Sequence, residues 1–170
     1  MIEHTEDSVL ASEYREIDSL IGELQRVNSE LALQKEMYQT LSRVSPVGMF
    51  RTDPWGKVEY INSKGLDLLG LSKKEFVLDR NWANLVCEED RKKVSSKWDR
   101  CVKEQTNFVV ECRFQQPDGK TVWTLCQANL VNGGGRGHVG TITDITPQKE
   151  ILTKLVALKE KRTSRCLNGK

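Results

Sequence analysis

The sequence has little of what marks membrane, secreted or strongly nucleic-acid-binding chains. No apolar run approaches the roughly 20 residues that span a bilayer. The first residues, MIEHTEDS, lack the basic and then apolar order of a signal peptide. The net charge of +2 on 170 residues is too small for a binder that relies on phosphate contacts. We therefore expect a cytoplasmic protein whose partners are neither nucleic acid nor membrane.

Cysteine and histidine are also scarce, and their positions suit neither a disulfide framework nor a metal site. The five cysteines are odd in number and form no CxxC pair, which indicates thiols in a reducing compartment. His4 lies near the start and His138 begins a predicted strand, so we interpret both as surface residues. No zinc-like spacing occurs, and no nucleophile has an identifiable base. We expect no metal site and no enzymatic activity.

Charge is present in both signs but is unevenly distributed along the chain. Residues 1–42 carry nine acidic and three basic side chains, a net charge of −6. Residues 147–170 carry two acidic and seven basic side chains, a net charge of +5. Such runs are usually solvated helix faces, but two arms of opposite sign can also attract each other, within one chain or between two.

The acidic arm carries a heptad repeat, which predicts a coiled-coil helix over residues 8–42. Eight of its ten seam positions are apolar. They are Leu10, Ile17, Leu20, Leu24, Val27, Leu31, Tyr38 and Leu41. A helix of that length measures roughly 50 Å, more than the width of a domain of about 100 residues. A parallel homodimer would cover the overhanging stripe. Because Glu13 and Gln34 interrupt the seam, a long helix folded back on its own domain is the alternative.

The middle of the chain alternates short strands with short helices. Asn62 is predicted to cap a helix that closes at Gly70, and a capping box at residues 72–75 opens another turn. Residues 88–104 predict a longer helix with an inward stripe. That stripe is Val94, Trp98, Cys101 and Val102. The spacing Gly135-x-Gly137-x-x-Gly140 lies between two predicted strands, so we interpret it as a hairpin loop and not as a dinucleotide-binding motif.

A hairpin is predicted around Asp118-Gly119, with strands on either side. If those two residues form the whole loop, Phe114 faces Trp123 and Cys112 faces Leu125, all on one face of the sheet. Cys126 then lies on the opposite face from Cys112, which argues against a disulfide between them.

In this order, the segment from about Leu41 to Glu150 resembles a PAS domain. Each motif is weak alone, but together they cover about 110 of the 170 residues. The motifs are Pro46 to Asp53, Gly56, Tyr60-Ile61-Asn62, Gly70, Glu89-Asp90-Arg91, Trp98, Glu111 to Phe114, Asp118-Gly119, Trp123 and Gly140 to Thr146.

The resemblance implies an α+β fold with a five-stranded antiparallel sheet of order 2-1-5-4-3 and short helices on one face. It divides the chain into a disordered start (1–7), a coiled-coil helix (8–42), the PAS domain (43–146), a C-terminal output helix (147–163) and a disordered tail (164–170). It also implies a signal junction at Asp144, Ile145 and Thr146, where Thr146 is expected to cap the output helix.

The resemblance also bears on cofactors. Where light-sensing PAS domains carry a flavin-reactive cysteine, this chain has Trp82, and where one haem-binding type carries a histidine, it has Val94. We therefore expect no flavin adduct and no haem. The core could hold a small apolar ligand or be filled by its own side chains, and the bulk of the tryptophans favours the filled core. The expected pocket or core lining is Phe50, Ile61, Leu69, Trp82, Leu85, Val94, Trp98, Val110, Cys112 and Leu125.

The resemblance implies a sensory and dimerisation module that relays a core or ligand change to its flanking helices. Two alternatives stay open. The chain could be a protein-interaction module without a ligand, or a regulatory fragment of a histidine kinase or similar signalling enzyme. The module would act on an effector domain or partner protein.

Overall fold

The computed structural model describes residues 3–72, 78–131 and 137–167. Residues 73–75 of the predicted capping box and most of the glycine-rich loop lie outside these residues, as do the two ends of the chain. The elements, in order, are α1 (Glu3–Val44), β1 (Gly48–Thr52), β2 (Val58–Ile61), α2 (Ser63–Leu69), a 3-10 helix (Leu78–Leu85), α3 (Glu88–Glu104), β3 (Phe108–Gln115), β4 (Thr121–Leu130), β5 (His138–Asp144) and α4 (Thr146–Leu167). Contacts divide the chain into two compact units, Met1–Val44 and Ser45–Lys170.

The first unit is the single helix α1, which is longer than the predicted 8–42. It begins at Glu3, inside the segment 1–7 that was predicted to be disordered. Basic Arg43 lies in its last turn, where positive charge is favourable. Seam residues from Ile17 to Leu41 are largely exposed within one chain.

The second unit contains the sheet, whose strand order β2-β1-β5-β4-β3 confirms the predicted fold. All neighbouring strands pair antiparallel. The central pair, β4 with β5, runs from Thr124 opposite Asp144 to Leu130 opposite His138. The helices α2 and α3 bury apolar side chains against the core that the sheet's inner face helps to form.

Both ends of α2 and the end of α3 lie where the sequence predicted them. The side chain of Asn62 accepts a hydrogen bond from Gly65 N, and α2 closes at Gly70 in the left-handed conformation at φ 69°. Helix α3 ends at Glu104, as predicted. In its predicted stripe, Val94, Trp98 and Cys101 are buried, and Val102 packs partly buried against the core.

The β3–β4 hairpin has a register different from the predicted one. Phe114 pairs with Val122 and Cys112 with Thr124, one residue away from the expected Trp123 and Leu125. Gln116 N donates to Lys120 O at 2.8 Å, so the loop is Pro117, Asp118 and Gly119. Gly119 adopts φ 87°, as the third residue of such a loop requires.

That one-residue shift exchanges the two faces of β4, because side chains alternate along a strand. Leu125 and Trp123, expected inside, lie on the outer side and are half-exposed. Thr124 and Cys126 are buried instead. Cys112 and Cys126 therefore share the inner face, against the prediction that they lie on opposite faces.

Helix α4 runs from Thr146 to Leu167, beyond the predicted 147–163 and into the expected disordered tail. Its apolar residues Ile151, Leu155 and Leu158 are each more than half exposed in the single chain. Within the described residues, no helix is both long enough and apolar enough to span a membrane.

Candidate functional site

The core of the second unit contains a small cavity of about 50 Å³. This volume lies far below the roughly 300–1,000 Å³ of sites for drug-sized ligands. The polar groups of its lining belong to two thiols and two indoles. The lining is Phe50, Val58, Ile61, Leu69, Trp82, Val94, Trp98, Phe108, Cys112, Phe114, Cys126 and Ile142.

Most of the residues expected to line a pocket or core meet around this cavity. Seven of them line it, namely Phe50, Ile61, Leu69, Trp82, Val94, Trp98 and Cys112. Val110 is buried in the surrounding core, and Leu85 packs against that core partly buried. Leu125 is absent from both because it lies on the outer face of β4.

Sequence reasoning missed five lining residues, Val58, Phe108, Phe114, Cys126 and Ile142. Phe108 and Phe114 lie at the same period-two positions of β3 as Val110 and Cys112, so strict period-two counting would have placed them inside. Cys126 was assigned to the wrong face because the assumed loop was one residue too short.

Trp98 is at the centre of the aromatic residues around the cavity. Its ring meets Trp82, Phe50 and Phe108 edge to face, with centroids 6.2, 6.5 and 5.0 Å away. Its Nε1 donates to the carbonyl of Gly56 at 3.2 Å, which ties α3 to the β1–β2 turn. By contrast, Trp82 Nε1 is buried and has no hydrogen-bond partner among the described residues.

His138 is buried in the core, which corrects its interpretation as a surface residue. It begins β5 on the inward side of the strand, and its backbone N donates to Thr52 Oγ1 at 3.0 Å. Its Nε2 lies 3.1 Å from the carbonyl oxygen of Thr106, which can only accept, so Nε2 carries a proton. Cys101 Sγ lies 3.5 Å from the same nitrogen and donates to the same carbonyl at 2.8 Å.

Two thiols and a hydroxyl form a polar strip across β3 and β4 beside the cavity. Thr124 Oγ1 lies 3.6 Å from Cys112 Sγ and 3.6 Å from Cys126 Sγ, and donates to the Cys112 carbonyl at 3.2 Å. A hydrogen bond from the Cys126 thiol holds the pKa of Cys112 below its ordinary value. The same bond, together with burial, raises the pKa of Cys126 well above it. Cys112 is therefore the more readily deprotonated of the two.

The predicted signal junction joins α4 to β4 through two hydrogen bonds to the backbone of Trp123. Ile145 N donates to Trp123 O, and Trp123 N donates to Thr146 Oγ1, both at 2.9 Å. Asp144 Oδ1 accepts from Thr146 N at 2.8 Å. The expected helix cap at Thr146 is thus wrong, because its hydroxyl binds the neighbouring strand and Asp144 satisfies the first helical N–H.

The ring of Trp123 reinforces this junction from the outer face of the sheet. Arg113 from β3 and Lys149 from α4 lie over the ring, 5.3 and 5.1 Å from its centroid. Lys149 also pairs with Glu111 of β3. Arg113 in turn forms a bidentate pair with Asp90 at 2.9 Å, which ties the start of α3 to the same strand.

Two curated relatives resemble the chain over most of its length. It is 27% identical over 132 residues to the C4-dicarboxylate transport sensor protein DctS of Rhodobacter capsulatus, covering 74% of the chain and 19% of that protein. It is 30% identical over 145 residues to the peroxide stress-activated histidine kinase mak1 of Schizosaccharomyces pombe, covering 78% and 9%. The chain thus spans less than a fifth of either relative.

A solved structure and a family model agree with the observed topology. An RNA-binding light-oxygen-voltage receptor superposes with a TM-score of 0.63 at 22% identity, covering 76% of this chain and 38% of that one. The family model described as the PAS fold matches residues 58–143, just over half of the chain. This chain belongs to the PAS family.

Proposed function

We propose that the chain is a sensory module in which a change at the core cavity is relayed through β4 to helix α4. One observation carries this proposal: the same strand lines the cavity and anchors the helix. Cys126 of β4 lines the cavity. Trp123, three residues earlier, accepts a hydrogen bond from Ile145 N at its carbonyl and donates its own N–H to the Thr146 hydroxyl. A displacement of β4 at the cavity therefore acts on the first turn of α4.

The input that suits this cavity is a small neutral molecule or a chemical change of its lining. The relative DctS is named for dicarboxylate transport, but a dicarboxylate carries two charges, and no lining residue is a cation. Burying such charges without partners would be very unfavourable. A flavin or haem likewise exceeds a volume of about 50 Å³.

We further propose that α1 forms a parallel two-stranded coiled coil with a second copy of the chain. The seam residues Ile17, Leu24 and Leu31 are 51%, 62% and 61% exposed in one chain. Because they repeat every seven residues, a second copy in register buries them all at once. The seam also includes Leu10, whose side chain lies outside the described part.

The output is proposed to lie outside this chain. Both curated relatives are far longer, and mak1 is named as a histidine kinase, so the module fits a regulatory segment that hands a signal from α4 to an effector domain or partner protein. We assign no catalytic role to the chain itself. The described cysteines are unpaired thiols, which fits a reducing cytoplasm.

Hydrogen exchange on a cavity variant tests the relay. Val94→Ala enlarges the cavity from α3, and Val109→Ala removes the same atoms from the exposed outer face of β3. We expect faster exchange over residues 147–158 in Val94→Ala and no change there in Val109→Ala. Because a terminal helix exchanges by local opening, global destabilisation alone leaves those amides unchanged. Unchanged exchange in α4 of Val94→Ala would contradict the relay.

A further inference from the structure

We infer that Cys112 and Cys126 form a redox site in the core, which a small hydroperoxide oxidises to an intramolecular disulfide. The two residues lie on adjacent strands and share the inner face of the sheet. Both line the cavity, and one hydroxyl, Thr124 Oγ1, lies 3.6 Å from each sulfur. The site rests on this geometry alone, while its effect on α4 rests on the proposed function.

The cavity selects the class of oxidant. A hydroperoxide is small and neutral, so it enters an apolar cavity of about 50 Å³ without the desolvation penalty of a charged oxidant. It then meets the sulfur of Cys112, whose pKa is lowered by the Cys126 hydrogen bond. The thiolate is the reactive form of cysteine, so Cys112 is the residue that attacks first.

The reaction balances in two steps. Cys112 thiolate attacks the nearer peroxide oxygen, the O–O bond breaks, and the leaving alkoxide or hydroxide takes up the proton that the thiol gave up. The product is a sulfenic acid at Cys112. The Cys126 sulfur then attacks that sulfur, an S–S bond forms, the S–O bond breaks, and the hydroxyl leaves as water with the Cys126 proton. Two electrons pass from the two sulfurs to one peroxide.

Because of the pairing register, formation of this disulfide bond should displace β3 and β4 relative to each other. Cys112 stands opposite Thr124, and Cys126 stands opposite Val110, so the two cysteines are diagonal neighbours. Diagonal Cα atoms are about 7–8 Å apart, whereas disulfides favour about 5.5–6 Å. Closing the bond therefore draws β3 and β4 together locally. The residue before Thr124 is Trp123, which holds the start of α4.

The other described thiols lack this arrangement. Cys101 is buried and donates to the carbonyl of Thr106, and burial raises its pKa. Cys87 is half-buried at the start of α3 and lies outside the lining of the cavity. Cys87 is therefore the matched control, a more accessible single thiol with no role in the site.

Thiol mapping after peroxide treatment tests the site on the full chain. The reduced protein is exposed to hydrogen peroxide, unfolded in an alkylating reagent, digested and analysed by mass spectrometry. We expect Cys112 and Cys126 to lose alkylation together, a linked peptide pair to form, and dithiothreitol to restore both thiols. Cys87→Ser keeps the linkage, and Cys126→Ser abolishes it. Free Cys112 and Cys126 at a peroxide dose that oxidises Cys87 would overturn the proposal, as would linkage to another cysteine.

Hydrogen exchange on the same oxidised sample separates the site from the relay. We expect faster exchange over residues 147–158 once the bond has formed, and recovery on reduction. If the bond forms and α4 exchange does not change, the redox site stands and the relay proposed above is wrong. If the thiols stay free while Val94→Ala still loosens α4, the relay stands and the redox site is wrong.

Discussion

Leucines of equal size have opposite environments in the two units of this chain. Leu69 of α2 is 1% exposed, whereas Leu24 of α1 is 62% exposed. Leu69 packs in a core that its own chain completes, with side chains from the sheet, α2 and α3. Leu24 belongs to a heptad stripe with no such cover in the single chain. The sensory core is thus complete in one chain, whereas the apolar seam of the helix is exposed there, as the proposed coiled coil requires.

The comparison separates two kinds of apolar pattern. The buried side chains of β3, which follow a period of two, and the apolar stripe of α3 both pack into the core and line the cavity. The seven-residue period of α1 instead extends along a helix of 42 residues, longer than a domain of this size can cover. Substitutions in the two patterns should therefore have different effects, on dimerisation in α1 and on the stability of the fold in the core.

The largest expected effect is loss of the dimer. Leu24→Asp with Leu31→Asp should give monomers, because two unpaired charges would be buried in the seam. Leu33 lies in the same helix, is 58% exposed and falls off the seam, so Leu33→Asp should stay dimeric. Light scattering measures both. A monomeric unmodified protein at tens of micromolar would contradict the prediction.

Next in size is the loss of a core side chain. Leu69→Ala should lower the free energy of unfolding of the PAS domain by about 2–5 kcal/mol, because it leaves a cavity in a close-packed core. Leu33→Ala is the matched control and should change it by less than about 0.5 kcal/mol. Urea denaturation followed by Trp fluorescence compares them. An equal loss of unfolding free energy in both variants would contradict the difference in burial between the two units.

A smaller effect concerns the ion pair that ties α3 to β3. The Arg113 guanidinium holds the pKa of Asp90 below its ordinary value of 3.8. A carboxyl with a depressed folded-state pKa stabilises the fold above its unfolded pKa and loses that contribution as pH falls through the folded value. Asp90→Ala should therefore be less stable than the unmodified protein near pH 7.

The gap between the two proteins should shrink below pH 3.8, and urea denaturation at several pH values measures it. Asp118→Ala in the exposed β3–β4 loop is the control, since that carboxyl accepts only a local backbone bond. A gap that is constant from neutral to acid pH would show that Asp90 acts by packing and not by charge.

The smallest effect is expected at the junction. Asp144→Ala with Thr146→Ala removes the acceptors for Thr146 N and Trp123 N, a loss of about 1 kcal/mol for each hydrogen bond. We expect faster hydrogen exchange over residues 147–162 with an intact core. Thr143→Ala, one residue earlier on β5, is the control. Unchanged protection in α4 would mean that these bonds do not hold the helix.

Short-range features of this fold were predictable from the sequence, and the reason is physical. Asn62 and Gly70 fix the ends of α2 by bonds and backbone angles within a few residues. The strand order followed from a family resemblance that spans the whole domain. The hairpin register depended on whether Pro117 belongs to the loop, and that single residue decided which face Leu125 and Cys126 occupy.

Long-range features of the site were harder to predict. His138 follows a glycine-rich loop, so nothing local indicated that its side chain turns inward against Trp98 and Cys101. The cavity lies among aromatic rings from α3, the 3-10 helix and β3 that meet edge to face, and such packing leaves no periodic pattern in the sequence. The Thr146 hydroxyl binds β4 in preference to its own helix because the hairpin brings Trp123 N within reach.

Hydrogen exchange of the unmodified chain at a series of protein concentrations tests the contrast between the two units most directly. We expect protection of residues 12–44 to rise with concentration, because in the proposed dimer a second chain covers the seam of α1. Protection of β3 and β4 should stay constant across the series, because the core is complete within one chain. Protection of α1 that is independent of concentration would contradict this account.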